Sequence, residues 1–327
     1  MKLNLCTLQS FSAALLVLAD VARSAPPARL IDDALLALRP LVPFRSAWWG
    51  ECSDTDAHST PHNWLHGRIN LSASFAQEWN RIADGDVFAI DSMRNLGSVQ
   101  RFSGHGDPNP DVAAFSRRHA LEHGMAITVE LPGSGLMFFV SLYRGEALPA
   151  FDDGECALFA EFFAHLLHHW RMRVRELLLG THPQASDTFA LADVHGNLLY
   201  LGARLGRLLQ QHHPAWTGAT LPAELASMLA RAPVAAALGP YRLTLQPCGE
   251  LVALALDRGG RLGALPPRER SVAMLYAQGH SYKEIARLLA LSPATVRTYL
   301  RSVYLQLGVR NTIELGTALS AAPRARR

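Results

Sequence analysis

The sequence predicts an α+β protein in which two mixed domains of helices and strands are followed by an all-helical C-terminal module. Three observations support this class. The 327 residues suffice for about two domains, or three small ones. Residues 126–143 read as two strands joined by a turn, and a long helix with an apolar face follows them. Residues 265–320 carry helical patterns with closely spaced start and stop signals.

Residues 1–40 are predicted to form a helical arm. Apolar side chains recur there at spacings of three and four, and they are Leu8, Phe11, Leu15, Leu18 and Ala22. This spacing indicates an amphipathic helix rather than a signal peptide. No stretch of the chain approaches about 18 uninterrupted apolar residues. We therefore expect no membrane partner and, with four scattered cysteines, a cytoplasmic location.

Residues 41–180 are predicted to be an α/β domain. Apolar and small or polar side chains alternate over residues 126–131, as in a half-buried strand, and residues 136–143 form a second apolar strand. Asp152 and Asp153 open a long helix. Its apolar side chains are Leu158, Phe159, Phe162, Phe163, Leu166, Leu167 and Trp170. A hairpin followed by a long exit helix resembles the end of a GAF sensory domain; the autoinducer domains of quorum-sensing LuxR proteins are the related alternative.

Residues 181–260 are predicted to be a smaller domain of mixed type. Two short strands, residues 189–193 and 198–201, flank a turn, and two further strands follow at residues 241–246 and 250–257. This order resembles a small, degenerate PAS domain. The asparagine that often follows the second strand of PAS domains is absent. The resemblance therefore implies a packing or relay role, and we predict no cofactor there.

Charge is divided unevenly along the chain. The 31 basic and 28 acidic residues give a net charge of +3. Residues 261–327 contain 11 basic and three acidic residues, a net charge of +8, which leaves −5 for the first 260 residues. A basic module joined to an acidic body is expected where one domain binds a polyanion.

Residues 261–327 carry local signals for consecutive helices. The first helix spans about residues 267–278 and is stopped by Gly279. Ser281 and Glu284 have the spacing of a capping box, which opens a short second helix. The apolar residues of that second helix are Ile285, Leu288 and Leu289.

The serine and proline at residues 292–293 begin a third helix that ends near Leu307. Two short helices separated by a tight turn form a helix-turn-helix. The apolar stripe of the third helix consists of Val296, Leu300, Val303 and Leu307. Arg297, Thr298 and Arg301 lie on the other side. Two arginines one turn apart suit the DNA major groove, where arginine can donate twice to guanine; the alternative is an ordinary solvated face.

The residues from Leu265 to Asn311, with Lys-Glu-Ile-Ala at 283–286 and Thr-Val-Arg at 295–297, resemble the DNA-binding domain of LuxR/FixJ-type (GerE-like) transcription regulators. The resemblance implies a four-helix domain whose third helix enters the major groove and whose fourth often dimerises. It implies base contacts by Arg297, Thr298 and Arg301, and phosphate contacts by Lys283, Thr295 and Arg310. Ala290 replaces the usual glycine of the turn between the helices; a left-handed backbone there would cost about 1 kcal/mol.

A pocket for a small-molecule effector is expected between the sheet and the helices of the first domain. The candidate ligand contacts near that pocket are Trp48, Trp49, His66 and Trp79. Each of them could instead be an ordinary core side chain.

The sequence offers little support for metal, haem or catalytic chemistry. His165 and His169 could share a helical face, but no cysteine or carboxylate cluster completes a ligand set, and no metal site is predicted. Neither of the two lysines, Lys2 and Lys283, follows a glycine run that could bind a nucleotide phosphate. The nucleophile motif G-x-S-x-G and the zinc motif H-E-x-x-H do not occur. We therefore expect a protein that is not an enzyme.

The sequence as a whole predicts a DNA-binding transcription regulator, with GAF-like and small PAS-like α/β sensory domains followed by an all-α four-helix LuxR-type helix-turn-helix domain. Its expected partners are double-stranded DNA, a second copy in a homodimer, and a small-molecule effector. Two alternatives stay open. One is a constitutive DNA binder whose N-terminal domains only dimerise, and the other is a metal- or haem-based sensor.

Overall fold

The computed structural model describes residues 5–53, 61–104, 107–131, 134–179, 187–239, 241–257, 265–307, 309 and 312–320. The chain divides into two compact units, which are residues 1–232 with 246–254 and residues 233–245 with 255–327. Two β-sheets come first along the chain and an all-helical segment comes last, which confirms the predicted α+β class.

The first sheet has five strands, which are β1 (Ser46–Ser53), β2 (His62–Ile69), β3 (Gln100–Ser103), β4 (His123–Leu131) and β5 (Leu136–Arg144). The strand order is β2-β1-β5-β4-β3, and neighbouring strands are antiparallel. The register places Val140 of the central strand β5 opposite both Trp49 and Ile127. The pairing of β1 with β2 is interrupted by an irregularity between Glu51 and Cys52.

The helices of this region are α1 (Leu5–Ser24), α2 (Leu30–Leu38), α3 (Phe75–Trp79), α4 (Val87–Arg94), α5 (Pro110–His119) and α6 (Asp153–Leu179), and short 3-10 turns span Pro27–Arg29 and Ala83–Gly85. Polar N-caps start α4 and α5. Asp86 accepts a hydrogen bond from the Ala89 backbone N at 3.0 Å, and Asn109 accepts one from the Asp111 backbone N at 3.0 Å. Such caps satisfy N–H groups that the first turn leaves unpaired.

Side chains of the first sheet alternate between two cores. Phe138 packs into a core shared with Leu35 of α2 and Phe162 of α6, whereas Phe139 packs into a second core with Trp48. Successive residues of a strand point to opposite faces, which explains the division. Each fully buried side chain of this size contributes about 1.5–3 kcal/mol.

Strand β4 is more deeply buried than the alternating sequence pattern predicted. Ile127 and Thr128 are adjacent in the strand, and both are buried. The expectation of a half-buried strand is therefore wrong for residues 126–128, whereas the exposed Glu130 agrees with it. Helix-borne side chains cover both faces of the sheet there, so β4 has no solvated face over residues 126–128.

Helix α1 is present as predicted, but its buried face is narrower than the sequence spacing suggested. Ala14 and Leu18 are buried, whereas Leu8, which was expected on the inner face, is 51% exposed. Leu8 lies in the first turn of α1, and only residues farther along the helix pack into the core. By length and composition the segment Leu5–Ser24 could cross a membrane, a test that core helices of soluble proteins and signal sequences also pass.

Helix α6 has the predicted inner face. Its buried apolar side chains are Phe159, Phe162, Phe163, Leu166, Leu167 and Trp170, while Leu158 is partly buried. The helix begins at Asp153, where the Asp152 carboxylate accepts a hydrogen bond from the Glu155 backbone N at 2.8 Å. The aspartate pair therefore marks the start of the helix, as predicted.

The second sheet contains β6 (Phe189–Asp193), β7 (Leu198–Leu201), β8 (Val234–Leu238), β9 (Tyr241–Cys248) and β10 (Leu251–Asp257), in the order β7-β6-β10-β9-β8. The remaining elements of this region are α7 (Ala203–His212), α8 (Ala223–Ala226) and a 3-10 turn at Leu229–Arg231. The four strands predicted here are present. Strand β8 and helix α7 were not predicted; the alanine-rich strand β8 has Val234 as its single β-branched residue and no aromatic one, so it lacks the usual strand signal.

The C-terminal module consists of α9 (Pro267–Ala277), α10 (Tyr282–Leu288), α11 (Pro293–Leu307) and α12 (Thr312–Ser320). Its buried core consists of Leu265, Val272, Ala273, Ile285, Ala286, Val296, Leu300, Val303 and Leu315. Leu288 is 60% exposed, so the apolar pattern of α10 overstated its buried face. A helix of seven residues makes only two turns and buries chiefly Ile285 and Ala286.

Candidate nucleic-acid interface and sensor cavity

Trp48 and Trp79, two of the predicted ligand contacts, lie together on one face of the first sheet. Their ring centroids are 5.0 Å apart in an edge-to-face arrangement. Trp48 also contacts the rings of Phe75 at 5.1 Å and Phe139 at 4.7 Å. These pairs form a tightly packed aromatic cluster, and both tryptophans are buried.

Trp49 and His66 do not join this cluster. Trp49 packs in the other core, and its indole N–H donates to Asp32 Oδ1 at 2.7 Å. Burial raises the pKa of the Asp32 carboxyl. His66 lies on β2, opposite Gly50 of β1, and burial lowers the pKa of its imidazole to about 4. The structure therefore brings together two of the four predicted side chains.

A cavity of about 290 Å³ lies beside Trp79 in the first unit. The side chains that matter most for its chemistry are Asp86, Phe88, Arg101, Phe102, Phe115 and Tyr143. The volume is near the lower end of the range for small-molecule sites. Aromatic walls with a few polar groups give the composition expected of a site for a small, partly apolar ligand.

Asp86 is the buried polar centre of this cavity. Its carboxylate accepts hydrogen bonds from the Trp79 Nε1 at 2.8 Å and from the Ala89 backbone N at 3.0 Å. Burial is the largest cause of its raised pKa, and the nearby charge of Asp107 adds to that rise. Asp86 was not among the site residues predicted from the sequence. The available signal was an aspartate placed directly before a helical stretch, the position of an N-cap.

Glu51 is a second buried carboxyl that the sequence analysis missed. It lies on β1 with no measurable exposure, and burial raises its pKa to about 8 despite the opposing effect of the Leu201 backbone N–H. Burial raises the pKa of Tyr200 on β7, and the nearby Glu51 carboxyl adds to that rise. Two backbone hydrogen bonds join the same regions, from Ala203 N to Ser134 O at 2.8 Å and from Ala219 N to Trp64 O at 2.9 Å.

The histidines are not gathered into a metal site in the part of the chain that the structure describes. No group of three or more His, Cys, Asp or Glu side chains there could hold a metal ion. His165 and His169 do share helix α6, as predicted. Burial and the neighbouring imidazoles of His168 and His165 lower the pKa of His169.

In the C-terminal module, the start of α10 has the predicted capping box. Ser281 Oγ accepts a hydrogen bond from the Glu284 backbone N at 3.4 Å, and Glu284 Oε2 accepts one from the Ser281 backbone N at 2.8 Å. Gly279, which ends the preceding helix, has a φ of +92°. A left-handed residue of this kind is favourable for glycine and costly for other residues.

The turn between α10 and α11 is built as the sequence predicted. Ser292 Oγ accepts a hydrogen bond from the Thr295 backbone N at 3.0 Å, which caps α11. Ala290 has a φ of +51°, in the left-handed region. The Leu291 backbone N donates to Ala286 O at 2.9 Å and closes the end of α10. These local bonds fix the start of α11 relative to α10.

Helix α11 separates apolar and polar side chains as expected. Val296, Leu300 and Val303 are buried in the core of the module, whereas Arg297, Thr298 and Arg301 are exposed; the side chain of Leu307 lies outside the described residues. Among the predicted phosphate contacts, Lys283 is exposed and Thr295 is partly exposed. Arg310 lies outside the described residues.

Two tyrosines form a stacked aromatic pair beside these exposed side chains. The rings of Tyr276 and Tyr282 stack with centroids 5.3 Å apart and planes at 13°. The Arg297 guanidinium lies 5.6 Å from the centroid of the Tyr282 ring, within the usual reach of a cation–π contact. The exposed polar surface of α11 is thus continuous with an aromatic pair formed between the end of α9 and the start of α10.

Residues 264–318 match the family model for bacterial regulatory proteins of the luxR family, GerE. The C-terminal module is a luxR-family helix-turn-helix domain. This confirms the C-terminal part of the resemblance seen in the sequence. The GAF-like and PAS-like assignments of the preceding regions stay predictions.

The curated relatives match within the same module. The transcriptional regulatory protein UhpA of Escherichia coli K12 is 48% identical over 56 residues, which are 17% of this chain and 29% of UhpA. The HTH-type regulator Rv0890c of Mycobacterium tuberculosis H37Rv is 45% identical over 53 residues, 16% of this chain and 6% of that protein. The chain therefore spans less than a third of the length of these relatives, which are named as transcriptional regulators.

The solved structures are less similar to this chain than the curated relatives are to its C-terminal module. CepR2 of Burkholderia cenocepacia, an N-acylhomoserine lactone dependent LuxR family transcription factor, is 13% identical, with 51% of this chain and 97% of that chain covered and a TM-score of 0.40. Escherichia coli SdiA is 14% identical, with 95% and 97% of the two chains covered and a TM-score of 0.35. TM-scores below 0.5 do not establish a shared fold.

The stacked tyrosines of the luxR-family domain were not predicted from the sequence. Tyr276 and Tyr282 are six residues apart and lie on different helices. Helical periodicity could not relate them, because the chain reverses between them at Gly279. The available signal was the presence of one aromatic residue on each side of a predicted helix stop.

Proposed function

We propose that the protein is a non-enzymatic transcription regulator that binds specific DNA sequences through its luxR-family domain and responds to a small molecule through its N-terminal region. In this proposal residues 1–40 form a helical arm, residues 41–180 a GAF-like sensor, residues 181–260 a small PAS-like module and residues 261–327 the DNA reader. The protein acts in the cytoplasm as a homodimer, because the duplex that it reads is there and the luxR-family module often dimerises through its fourth helix.

One observation carries the DNA-binding proposal: a luxR-family helix-turn-helix presents Arg297, Thr298 and Arg301 on the exposed face of α11. The opposite face of that helix is locked into the core by Val296 and Val303. A helix held in this way can enter the major groove as a rigid element, where arginine donates to guanine O6 and N7. The exposed Lys283 would neutralise a phosphate.

The test compares two variants on a duplex that the full-length protein selects from a random library. Arg301→Ala should lower affinity for the selected duplex by about 1–3 kcal/mol and relax its preference at one position. Lys283→Ala should weaken binding to selected and random duplexes alike and reduce the salt slope by about 1. Arg207→Ala, an exposed arginine on α7, serves as the control and should change neither quantity.

Equal losses for Arg301→Ala and Lys283→Ala on selected and random duplexes would show that the two roles are assigned wrongly. Absence of any salt-sensitive binding by the full-length protein to double-stranded DNA would contradict the DNA-binding proposal itself, since phosphate contacts release counterions and make affinity depend on salt.

The effector proposal rests on the cavity beside Trp79 and Asp86 in the first unit. We expect a small-molecule ligand to bind there and to shift the population of DNA-binding states. The predicted contact Trp79 would supply aromatic surface, while Trp48, which packs against Trp79, would act through packing, as would Trp49 and His66. The full-length protein, incubated with a cell extract and repurified, should retain a small molecule that mass spectrometry detects after denaturation.

The matched variants for this test are Val112→Phe, which reduces the cavity, and Val194→Phe, at a side chain 63% exposed elsewhere in the unit. Val112→Phe should lose the retained molecule and any effect of extract on DNA affinity, and Val194→Phe should keep both. Equal DNA affinity of the wild type with and without extract would instead favour the constitutive regulator. Metal analysis and an absorption spectrum of the same preparation test the metal- or haem-based sensor.

The homodimer is tested separately. Sedimentation equilibrium of the full-length protein with a selected duplex should give two chains per duplex, and the selected sequences should contain two related half-sites with two-fold symmetry. A single chain on an asymmetric site would contradict the dimer while leaving DNA reading intact.

A further inference from the structure

Tyr276 and Tyr282 form a braced aromatic pair at the edge of the proposed DNA surface. Tyr276 lies in the last turn of α9, and Tyr282 is the first residue of α10. Besides the parallel stacking of their rings, their hydroxyl oxygens are 3.3 Å apart. This hydrogen bond is also the main cause of the raised pKa of Tyr282. A ring restrained on one face and at its hydroxyl has little freedom to turn.

The Tyr282 ring of this pair contacts the guanidinium of Arg297. The guanidinium carbon lies 5.6 Å from the centroid of the Tyr282 ring. Arginine is well suited to such a contact, because its planar guanidinium is weakly hydrated and interacts with aromatic faces. Tyr282 is 36% exposed, so solvent reaches the contact and its attraction is modest.

The backbone of α11 around Arg297 is held independently. Thr298 Oγ1 donates to Ala294 O at 3.1 Å, and Val296 on the opposite side is buried. With the backbone fixed, the remaining freedom of Arg297 lies in its long side chain. Ordering such a side chain on binding opposes association, and a contact that orders it beforehand reduces that loss.

We propose that Tyr282, braced by Tyr276, is a positioning residue that orients the guanidinium of Arg297 toward one base pair of the target duplex. The inference rests on the proposed function, in which α11 enters the major groove. Tyr282 then determines specificity without touching a base. A different role is also open to its exposed hydroxyl, which could donate to a phosphate beside Lys283; that role is an outcome of the test.

The experiment is a double-mutant cycle on the full-length protein. The probes are a duplex selected from a random library by the wild type and the set of its single-base-pair variants. The proteins are the wild type, Tyr282→Leu, Tyr282→Phe, Arg297→Ala and the double variant with Tyr282→Leu and Arg297→Ala. A cycle of this kind isolates the pairwise effect of the two side chains.

We expect Tyr282→Leu to bind the selected duplex about 2–5-fold more weakly, the loss that corresponds to an exposed cation–π contact. Its base preference should flatten at the same base pair that Arg297→Ala flattens, and nowhere else. Tyr282→Phe keeps the ring and should stay within about twofold of the wild type. The double variant should bind as Arg297→Ala does, because without the guanidinium there is nothing left to orient.

Several results would overturn the proposal. The double variant could bind DNA more weakly than Arg297→Ala, by the same factor that separates Tyr282→Leu from the wild type. That result would mean that Tyr282 acts without Arg297. A loss in Tyr282→Phe equal to that in Tyr282→Leu would assign the effect to the hydroxyl and to a phosphate contact. An unchanged base preference in Tyr282→Leu would also overturn it, provided that thermal unfolding shows the variant folded.

A failure of the proposed DNA reading by α11 would give a different result in this experiment. If Arg297→Ala leaves the base preference unchanged, α11 does not read bases through Arg297, and the positioning role falls together with that assignment. If Arg297→Ala flattens one position and Tyr282→Leu does not, the DNA-reading proposal stands and only the role of Tyr282 is lost.

Discussion

The indole N–H of Trp79 donates a hydrogen bond to Oδ2 of Asp86 at 2.8 Å, inside the first unit and at the wall of its cavity. The other carboxylate oxygen of Asp86 accepts from the Ala89 backbone N. One carboxylate therefore caps α4 and fixes the orientation of a tryptophan that ends α3. The cavity wall is thus built by a bond between two helices rather than by packing alone.

Replacing Asp86 should destabilise the first unit. Asp86→Ala removes an N-cap and leaves the buried indole N–H of Trp79 without its acceptor, and we expect a loss of about 2 kcal/mol or more in the free energy of unfolding. Urea denaturation followed by tryptophan fluorescence measures it. Asp84→Ala, an exposed carboxylate two residues earlier, should change it by less than about 0.5 kcal/mol. Equal effects of the two variants would contradict the role assigned to Asp86.

Glu51 should make stability depend on pH. Its folded-state pKa of about 8 lies above the ordinary value of 4.5. Between these two values the folded state holds a proton that the unfolded state has released, so stability falls as pH rises from about 5 to 8. Glu51→Gln removes this dependence and should exceed the wild type by more than about 1 kcal/mol at pH 8, with the difference shrinking toward pH 5.

The measurement for Glu51 is the difference in unfolding free energy between wild type and Glu51→Gln across that range. His66 acts in the opposite direction, because its folded pKa of about 4 is below the ordinary 6.5 and stability is lost as pH falls between them. The difference between the two proteins cancels this contribution. A constant difference from pH 5 to 8 would show that Glu51 is ionised in the folded protein at all of these values.

Arg144 and Glu155 should be strongly coupled. The Arg144 side chain is 2% exposed, and its two terminal nitrogens donate to the Glu155 carboxylate at 3.1 and 2.5 Å. Glu155→Gln leaves a buried guanidinium without its counter-charge, and we expect a loss of about 3 kcal/mol in thermal or urea unfolding. Glu161→Gln, an exposed glutamate on the same helix, is the control. Arg144 also donates to the backbone carbonyls of Pro43 at 2.7 Å and Pro149 at 3.0 Å, and a loss below about 1 kcal/mol for Glu155→Gln would mean that these acceptors suffice.

Ala290→Gly should stabilise the C-terminal module. Ala290 has a left-handed backbone, which costs an alanine about 1 kcal/mol and costs glycine little. Glycine also gains conformational entropy in the unfolded chain, which offsets part of this benefit, so we expect a net stabilisation of about 0.5 kcal/mol. Unfolding of the full-length protein followed by far-UV circular dichroism measures it. Ala294→Gly inside α11 is the matched substitution and should destabilise by up to about 1 kcal/mol. Destabilisation by Ala290→Gly would contradict the assigned strain.

The helix boundaries of the luxR-family domain could be predicted because their causes are local. Ser281 reaches Glu284 and Ser292 reaches Thr295, contacts between residues three positions apart. The outward position of Arg297 follows from the periodicity of the apolar residues on the same helix. Such relations involve neighbours along the chain, so the order of residue types is enough to reveal them.

The burial of strand β4 and the cavity beside Trp79 could not be predicted in the same way. Thr128 looks like an outward position in an alternating strand, yet α4 covers that face, and Ser92 lies 2.7 Å from the Thr128 hydroxyl. Trp48 and Trp49 are chemically identical neighbours, and one packs against Trp79 while the other bonds to Asp32. Which indole meets which partner depends on where α2 and α3 pack on the sheet.

By itself the sequence determined the α+β class, the four-helix luxR-family module and the exposed arginines of its third helix, since these follow from caps, turns and helical spacing within a few residues. Only the tertiary structure decided that Asp86 rather than Trp49 lines the cavity, that Glu51 is buried, and that Tyr282 faces Arg297. The physical reason is that burial and ring contacts are set by segments distant along the chain, whose approach depends on the packing of the whole core.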